Sequence, residues 1–267
     1  MEGRQSQDRN PDGRRERLGI LGAGHIGPVV ARLALSAGYP VDIAASGDPE
    51  DIALITEFVV PGARPRWASD AAADADIVIL AMPLHRFLDV DPGLLKGKLV
   101  VDAMNYWPAS DGRLPVFEDT AFEDTAFEDT VFEDTVFEDT VFEDTVFENP
   151  VFDGTAFEDA DGSSEIVARR LAGSTVVKAL NHIGYHELED EARPAGAADR
   201  KAAGVAGDDP GAVEVIARLV DRIGYDPARV GGLAAGRVLQ PGGPVFGVTL
   251  SLPEFERVVQ EHARSLT

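Results

Sequence analysis

Apolar and polar residues follow one another in blocks that predict an alternating α/β chain. The first apolar run, Arg17-Leu-Gly-Ile-Leu21, stops at Gly22-Ala23-Gly24-His25-Ile26-Gly27. Pro28, Val29, Val30, Ala31, Leu33, Ala34 and Leu35 follow at helical spacing. A second strand is predicted at Pro40–Ala45, a helix at Pro49–Phe58, a short strand at Arg64–Trp67 and a helical turn from Ser69, with Asp70 and Asp74 on its polar side. Ile77–Ala81 is apolar throughout and bounded by Asp76 and Pro83, as a central parallel strand should be, and Leu99-Val-Val-Asp102 reads the same way. Further on, Ser163-Ser164-Glu165 predicts the cap of a helix to Leu171. Strands are expected at Thr175–Leu180 and Ala203–Val205, and Gly207-Asp208-Asp209-Pro210 should cap a long helix over Gly211–Ile223.

This order predicts a Rossmann-like, doubly wound, mostly parallel sheet in a single domain with a short C-terminal extension. The glycines sharpen that expectation. In a strand–turn–helix context, G-x-G-x-x-G is the dinucleotide fingerprint: Gly22 makes the tight turn, Gly24 lets the backbone approach a pyrophosphate, and Gly27 lets helix and strand pack closely. The N–H groups of the first helical turn, from Ile26 on, then face the anion. The bland alternative is a tight strand–helix turn without a ligand.

Composition changes the picture in one place. Phenylalanine recurs every five residues from Phe117 to Phe157, and six of these units read Phe-Glu-Asp-Thr. Of the formal charge of −23, 16 negative charges fall between Phe117 and Ala160, where there is no Lys or Arg, so the rest of the 267-residue chain carries −7. A period of five places no single stripe on a helix or a strand. The units resemble the pentapeptide-repeat family in their central Phe and in the Thr two residues earlier, but carry Ala or Val where that family prefers Asn or Asp. A disordered, charge-solubilised tandem expansion, a short β-helix and a partner- or cation-binding segment remain open. The expected organisation is a disordered tail over 1–16, a dinucleotide-binding part over 17–115, the insert over 116–162 and a continuation of the same domain over 163–267.

The acidic balance argues against nucleic acid as a partner. There is no cysteine, hence no disulfide and no thiolate chemistry. No apolar run reaches the length of a membrane span, and the tail has no signal-peptide pattern, so no membrane association and a cytoplasmic location are expected.

Ligands of open α/β sheets bind beyond the carboxyl ends of the strands. That places Gly22–Gly27, Ser46, Met82, Pro83, His85, Asn105, Asn181, His182 and Ile183 around one cleft. The second strand ends without a carboxylate that would repel a 2′-phosphate, and Ser46 can donate to one, which favours NADP. Asp48, two residues on, keeps NAD open and reads equally well as a helix N-cap. The five histidines offer no third metal ligand at workable spacing, so no metal is expected. His182 is expected in the pocket, with a satisfied loop histidine as the alternative.

The stretches Leu18–Gly27, Ala75–Pro83, Lys98–Asn105, Ser163–Ile183, Val205–Pro210 and Gly231–Leu239 fall in the order seen in the coenzyme F420-dependent NADP oxidoreductase family, which the chain resembles over about 17–115 and 163–250. The resemblance implies a Rossmann protein, often a homodimer, in which NADP crosses the strand ends and the deazaflavin of F420 stacks on the nicotinamide. It implies that Gly22, Gly24, His25, Ile26, Gly27 and Ser46 hold the pyrophosphate and adenosine ribose, and that Met82, Pro83 and His85 flank the nicotinamide. Asn105, Asn181, His182 and Ile183 would line the deazaflavin side, with His182 able to supply a proton. Arg237 matches an arginine of the family's C-terminal segment. Where many relatives carry Ser-Arg after the second strand, Gly47-Asp48 follows Ser46 here. Two further readings stay open: an imine or carbonyl reductase on the same scaffold, and a non-enzymatic NADP-binding sensor or interaction protein acting through the acidic repeat.

Overall fold

The computed structural model describes residues 15–107, 111, 112, 114 and 162–265. The tail expected over 1–16 lies outside the described residues except for Arg15 and Glu16, and the repeat over 117–160 lies outside them entirely. Eight strands form one sheet: β1 (Leu18–Leu21), β2 (Val41–Ala44), β3 (Arg64–Pro65), β4 (Ile77–Leu80), β5 (Leu99–Asp102), β6 (Thr175–Ala179), β7 (Ala202–Gly207) and β8 (Asp226–Gly231). Their order is β3-β2-β1-β4-β5-β6-β7-β8, and every neighbouring pair is parallel except β6 with β7. This is a Rossmann-like α/β fold in a single domain. β5 and β6, which flank the insert in sequence, pair directly, with Leu99 opposite Thr175 and Asp102 opposite Lys178.

Helices cover both faces. On one, α1 (Ile26–Ser36), α6 (Tyr185–Asp190) and α7 (Pro210–Arg222) bury Val30, Leu188, Ile216 and Val220 against Ile20, Ile43 and Val205. On the other, α3 (Ala68–Asp74), α4 (Leu84–Phe87) and α5 (Ser163–Arg170) bury Ala71, Phe87 and Val167 against Leu80 and Val100. α2 (Pro49–Val59) lies beside the edge strand β3 and buries only Thr56, leaving Leu54 and Phe58 exposed. α8 (Leu252–Ser265) closes the far end of the sheet through Phe255, which joins Ala202, Ala228 and Leu239 in a third small core.

The caps follow local chemistry. Asp48 accepts from the Glu50 N–H and starts α2, and Asp209 accepts from the Ala212 N–H and starts α7. Asp70 and Asp74, as expected, lie on the polar side of α3, where both pair with Arg66. One cap differs from expectation. Gly162, not Ser163 or Ser164, is the N-cap of α5, and Glu165 reaches back to its N–H at 2.7 Å. Ser164 is drawn instead into the core, where its hydroxyl donates to Asp102 Oδ2 at 2.6 Å.

The two feet of the insert are tied to this core. On the leaving side, the Tyr106 hydroxyl donates to the Gly112 carbonyl and accepts from the Leu114 N–H, both at 3.2 Å. On the returning side, Arg237 Nη2 pairs with Glu165 at 2.9 Å, so the arginine of the C-terminal segment clasps the start of α5.

Candidate functional site

β1 and β4 are neighbours in the sheet, yet their connections leave in opposite directions along it, which makes their carboxyl ends the switch point where open α/β sheets bind ligands. The glycine turn sits there. Gly22 has φ +128°, and a Cβ on it would lie 2.1 Å from the Ala81 carbonyl oxygen, so neither the backbone nor the space admits another residue. A Cβ on Gly27 would lie 1.9 Å from the Gly22 carbonyl oxygen, which fixes how closely α1 rides on the turn. Gly24 is the reverse case: a Cβ there would meet nothing within 4 Å. The turn is closed by protein at its first and third glycines and open at its second.

α1 begins at this opening with no side-chain cap from His25 and no acidic residue in its first turn. Its leading N–H groups and the positive end of its dipole are therefore left for an anion. His25 is exposed and stacks on Tyr185, with ring centroids 4.9 Å apart, so the start of α6 leans over the glycine turn. Ser46 is exposed at the end of β2. Asp48 is occupied in capping α2, and Asp42 is buried and paired with Arg64 at 2.7 Å. The carboxylate that approaches this corner is Asp51, whose Oδ2 lies 3.2 Å from where a Gly47 Cβ would be.

At the β4 end, Met82 is half-buried, Pro83 is exposed, and His85 is the second residue of α4. His85 is held by a residue that sequence reasoning missed. Its Nδ1 lies 2.9 Å from Asp111 Oδ1, and its backbone N–H donates to the same oxygen at 3.1 Å. Asp111 Oδ2 accepts from the Trp107 N–H at 2.8 Å. A carboxylate offers only acceptors, so the proton on this contact belongs to His85 Nδ1. Asp111 stands in a Ser-Asp-Gly stretch at the threshold of the repeat, which reads as turn chemistry. It lies nine residues beyond the end of β5, and nothing in its local sequence marks it as a partner of His85.

The loops after β5 and β6 are joined by paired amides. Asn105 Nδ2 donates to the Asn181 carbonyl at 2.8 Å, and Asn181 Nδ2 donates to Asn105 Oδ1 at 2.9 Å and to the Leu239 carbonyl. Asn181 Oδ1 is buried and has no hydrogen-bond partner among the described residues. The turn into this loop is made by Leu180 at φ +66°, a left-handed conformation that costs about 1–3 kcal/mol and persists only where the surroundings enforce it. Trp107, 44% exposed, meets Phe246 edge to face at 5.7 Å and adds an apolar wall beside the amides.

Two expectations need correction. Ile183 is buried in the core under α1 and does not line a cleft. His182 is likewise inside, 1% exposed: its Nε2 accepts from the Gly204 N–H at 2.9 Å, and its Nδ1–H donates to the Val245 carbonyl at 3.2 Å. Both nitrogens are used, which suits the neutral ring and leaves none to exchange a proton with a ligand. His182 is a structural pin between the β6 loop, β7 and the segment before α8.

Burial lowers the His182 pKa from 6.5 to about 4. The unfolded chain therefore takes up a proton that the folded chain refuses. The stability contributed by the neutral ring is complete above pH 6.5 and is lost as pH falls toward 4. At pH 5 the loss is about 2 kcal/mol. Urea unfolding at pH 7 and pH 5 should show this difference in the native chain and a smaller one in His182→Gln.

Beneath the strand ends, Lys178 is fully buried and donates to Asp102 Oδ2 at 3.3 Å and to the Met104 carbonyl. Asp102 Oδ1 accepts from the Met104 N–H at 3.0 Å. Desolvation pushes the Lys178 pKa down, and the Asp102 charge opposes that shift. Among the described residues, no group of three or more His, Cys, Asp or Glu could hold a metal ion, and no helix is long and apolar enough to cross a membrane.

The glycine turn lies in the part of the chain that matches a known family. Residues 17–106 match the model of the coenzyme F420-dependent NADP oxidoreductase family. That match covers β1 to the loop after β5, including the glycine turn, Ser46, Met82, Pro83, His85 and Asn105. Among solved structures, a hypothetical protein of Sinorhizobium meliloti is similar at 24% identity and a TM-score of 0.62, over 88% of this chain and 95% of that one. A proposed F420-dependent NADP reductase of an Arthrobacter species is similar at 21% identity and a TM-score of 0.59, over 93% and 95%. No curated protein matches the chain.

Proposed function

We propose that the protein is an oxidoreductase that moves a hydride directly between NADP(H) and coenzyme F420. The observation that carries this reading is the glycine turn, shut at Gly22 and Gly27 and open at Gly24, facing the uncapped end of α1 at the switch point. These residues fit a pyrophosphate. Ala23 to Gly27 would hold it through backbone N–H groups, with His25 beside it. Ser46 would meet the 2′-phosphate of NADP, and Asp51 at the same corner is the group that would favour the 2′-hydroxyl of NAD instead. Met82, Pro83 and His85 would flank the nicotinamide, whose reduced form supplies the hydride. Half-buried Asn105 would line the acceptor side, held in place by its bonds to the buried Asn181.

In this reading the chain binds two rings face to face and excludes water, and rate comes mainly from positioning. The paired amides fix the two loops at one spacing, the left-handed Leu180 aims the second of them, and Trp107 with Phe246 screens the cleft from solvent.

The test is the visible absorbance of F420 on mixing with the protein and either NADPH or NADH. Bleaching with NADPH and not NADH is the expected result. Bleaching with NADH alone keeps the reaction and assigns the β2 corner to Asp51. If NADPH binds and F420 stays coloured, the acceptor is a different one, an imine or carbonyl being next.

A further inference from the structure

We propose that His85 and Asp111 form a proton-transfer dyad: Asp111 fixes the His85 ring, and His85 Nε2 carries the proton that accompanies hydride transfer. This rests on the reading that a reduced nicotinamide lies across the ends of β1 and β4.

The geometry is that of an oriented acid–base group. His85 is the first histidine beyond the end of β4, and its side chain is 36% exposed, while the Asp111 side chain is 1% exposed. With Nδ1–H given to the buried carboxylate, Nε2 is the nitrogen left to face a ligand. Asp111 is also bonded to the backbone N–H groups of both His85 and Trp107, so one carboxylate ties the ring, the start of α4 and the loop after β5 together. Had Asp111 served only to staple that loop, the two backbone contacts would have sufficed. The ring contact adds a fixed tautomer to a half-exposed imidazole. The other candidate histidine at the strand ends, His182, has both nitrogens occupied inside the core.

The reaction needs such a group. Hydride transfer from the dihydronicotinamide to C5 of a deazaflavin breaks one C–H bond and forms another. The acceptor gains two electrons and requires one proton on a ring nitrogen. In the proposed step the Nε2–H bond of the His85 imidazolium breaks, the ring N–H bond forms, and water reprotonates the imidazole. NADPH is oxidised and the acceptor reduced, and charge and atoms balance. Reduction of an imine draws one proton in the same way, so the dyad does not depend on which acceptor is correct.

Two measurements test it. Long-range ¹H–¹⁵N NMR of the ligand-free protein should show the neutral His85 ring with its proton on Nδ1, and Asp111→Ala should abolish that preference. With NADPH and F420, His85→Gln should lower kcat about 100-fold or more, the scale of general acid catalysis, and change NADPH affinity far less than kcat; imidazole added to His85→Ala should restore part of the rate. A wild-type ring protonated on Nε2 overturns the dyad whatever the acceptor, and so does a His85→Gln kcat within about threefold of wild type, well short of general-acid magnitudes. If the wild type leaves F420 coloured but reduces a cyclic imine with NADPH, and His85→Gln loses that reaction, the acceptor assigned above is wrong and the dyad stands. If His85→Gln retains imine reduction, both fall.

Discussion

Gly24→Val is expected to abolish binding of the nicotinamide dinucleotide while leaving the melting temperature of the ligand-free protein unchanged; Gly27→Ala is expected to lower that temperature by about 6–12 °C. The contrast follows from where each new Cβ would go. At Gly24 it enters open space, so the fold has nothing to resist it, and the side chain occupies the volume assigned to the pyrophosphate. There it blocks the close approach of the pyrophosphate to the backbone N–H groups that would hold it. At Gly27 the Cβ would stand 1.9 Å from the Gly22 carbonyl oxygen, and α1 must lift off the strand end to relieve it. Overpacking of that kind costs about 3 kcal/mol or more where backbone must move. Thermal melts and NADPH fluorescence titrations of the two variants would read both effects. Normal NADPH affinity in Gly24→Val would remove the main support for the cofactor assignment.

The second large effect lies below the site. Asp102→Ala should destabilise the protein by about 3–5 kcal/mol, because it leaves the Lys178 ammonium buried without its counter-charge. It also strands the Ser164 hydroxyl and the Met104 N–H, which have bonded the same carboxylate. Exchanging both charges for apolar side chains of similar size, Asp102→Leu with Lys178→Met, should recover at least half of the loss, since burying an ion pair gains little over burying hydrocarbon. Urea unfolding of the single and double variants decides the point. A double variant as unstable as the single one would mean that the carboxylate matters for its bonds to Ser164 and Met104, not for its charge.

Most of the sheet was legible in the sequence because its strands are buried on both faces and read as unbroken apolar runs. Ile77–Leu80 and Leu99–Asp102 were placed to within a residue for that reason. β8 was not seen: Asp226-Pro-Ala-Arg-Val-Gly231 carries a proline and two charged residues, which an edge strand tolerates and a central strand does not. α8 escaped for a related reason, since its only buried side chain is Phe255 and the rest of it reads as a charged surface. In the site, the glycine turn was legible because backbone conformation and close approach restrict the residue type. His182 was placed on the right loop but on the wrong side of it. Its sequence neighbourhood, Asn-His-Ile-Gly, does not say whether a ring turns outward to a ligand or inward to the Gly204 N–H. Asp111 was invisible because its partners, His85 and Trp107, are brought to it by the fold and not by periodicity.

The two feet of the insert have an evolutionary consequence. Tyr106 secures Gly112 and Leu114 on one side, and Gly162, Glu165 and Arg237 secure the other, all through contacts that involve no repeat residue. Among the described residues, these bonds fix where the excursion leaves the domain and where it returns. Each unit is a whole number of codons, so gain or loss of units by replication slippage preserves the reading frame and leaves both anchors in place. A change in the number of units would alter the length of the excursion without touching any residue that forms these bonds.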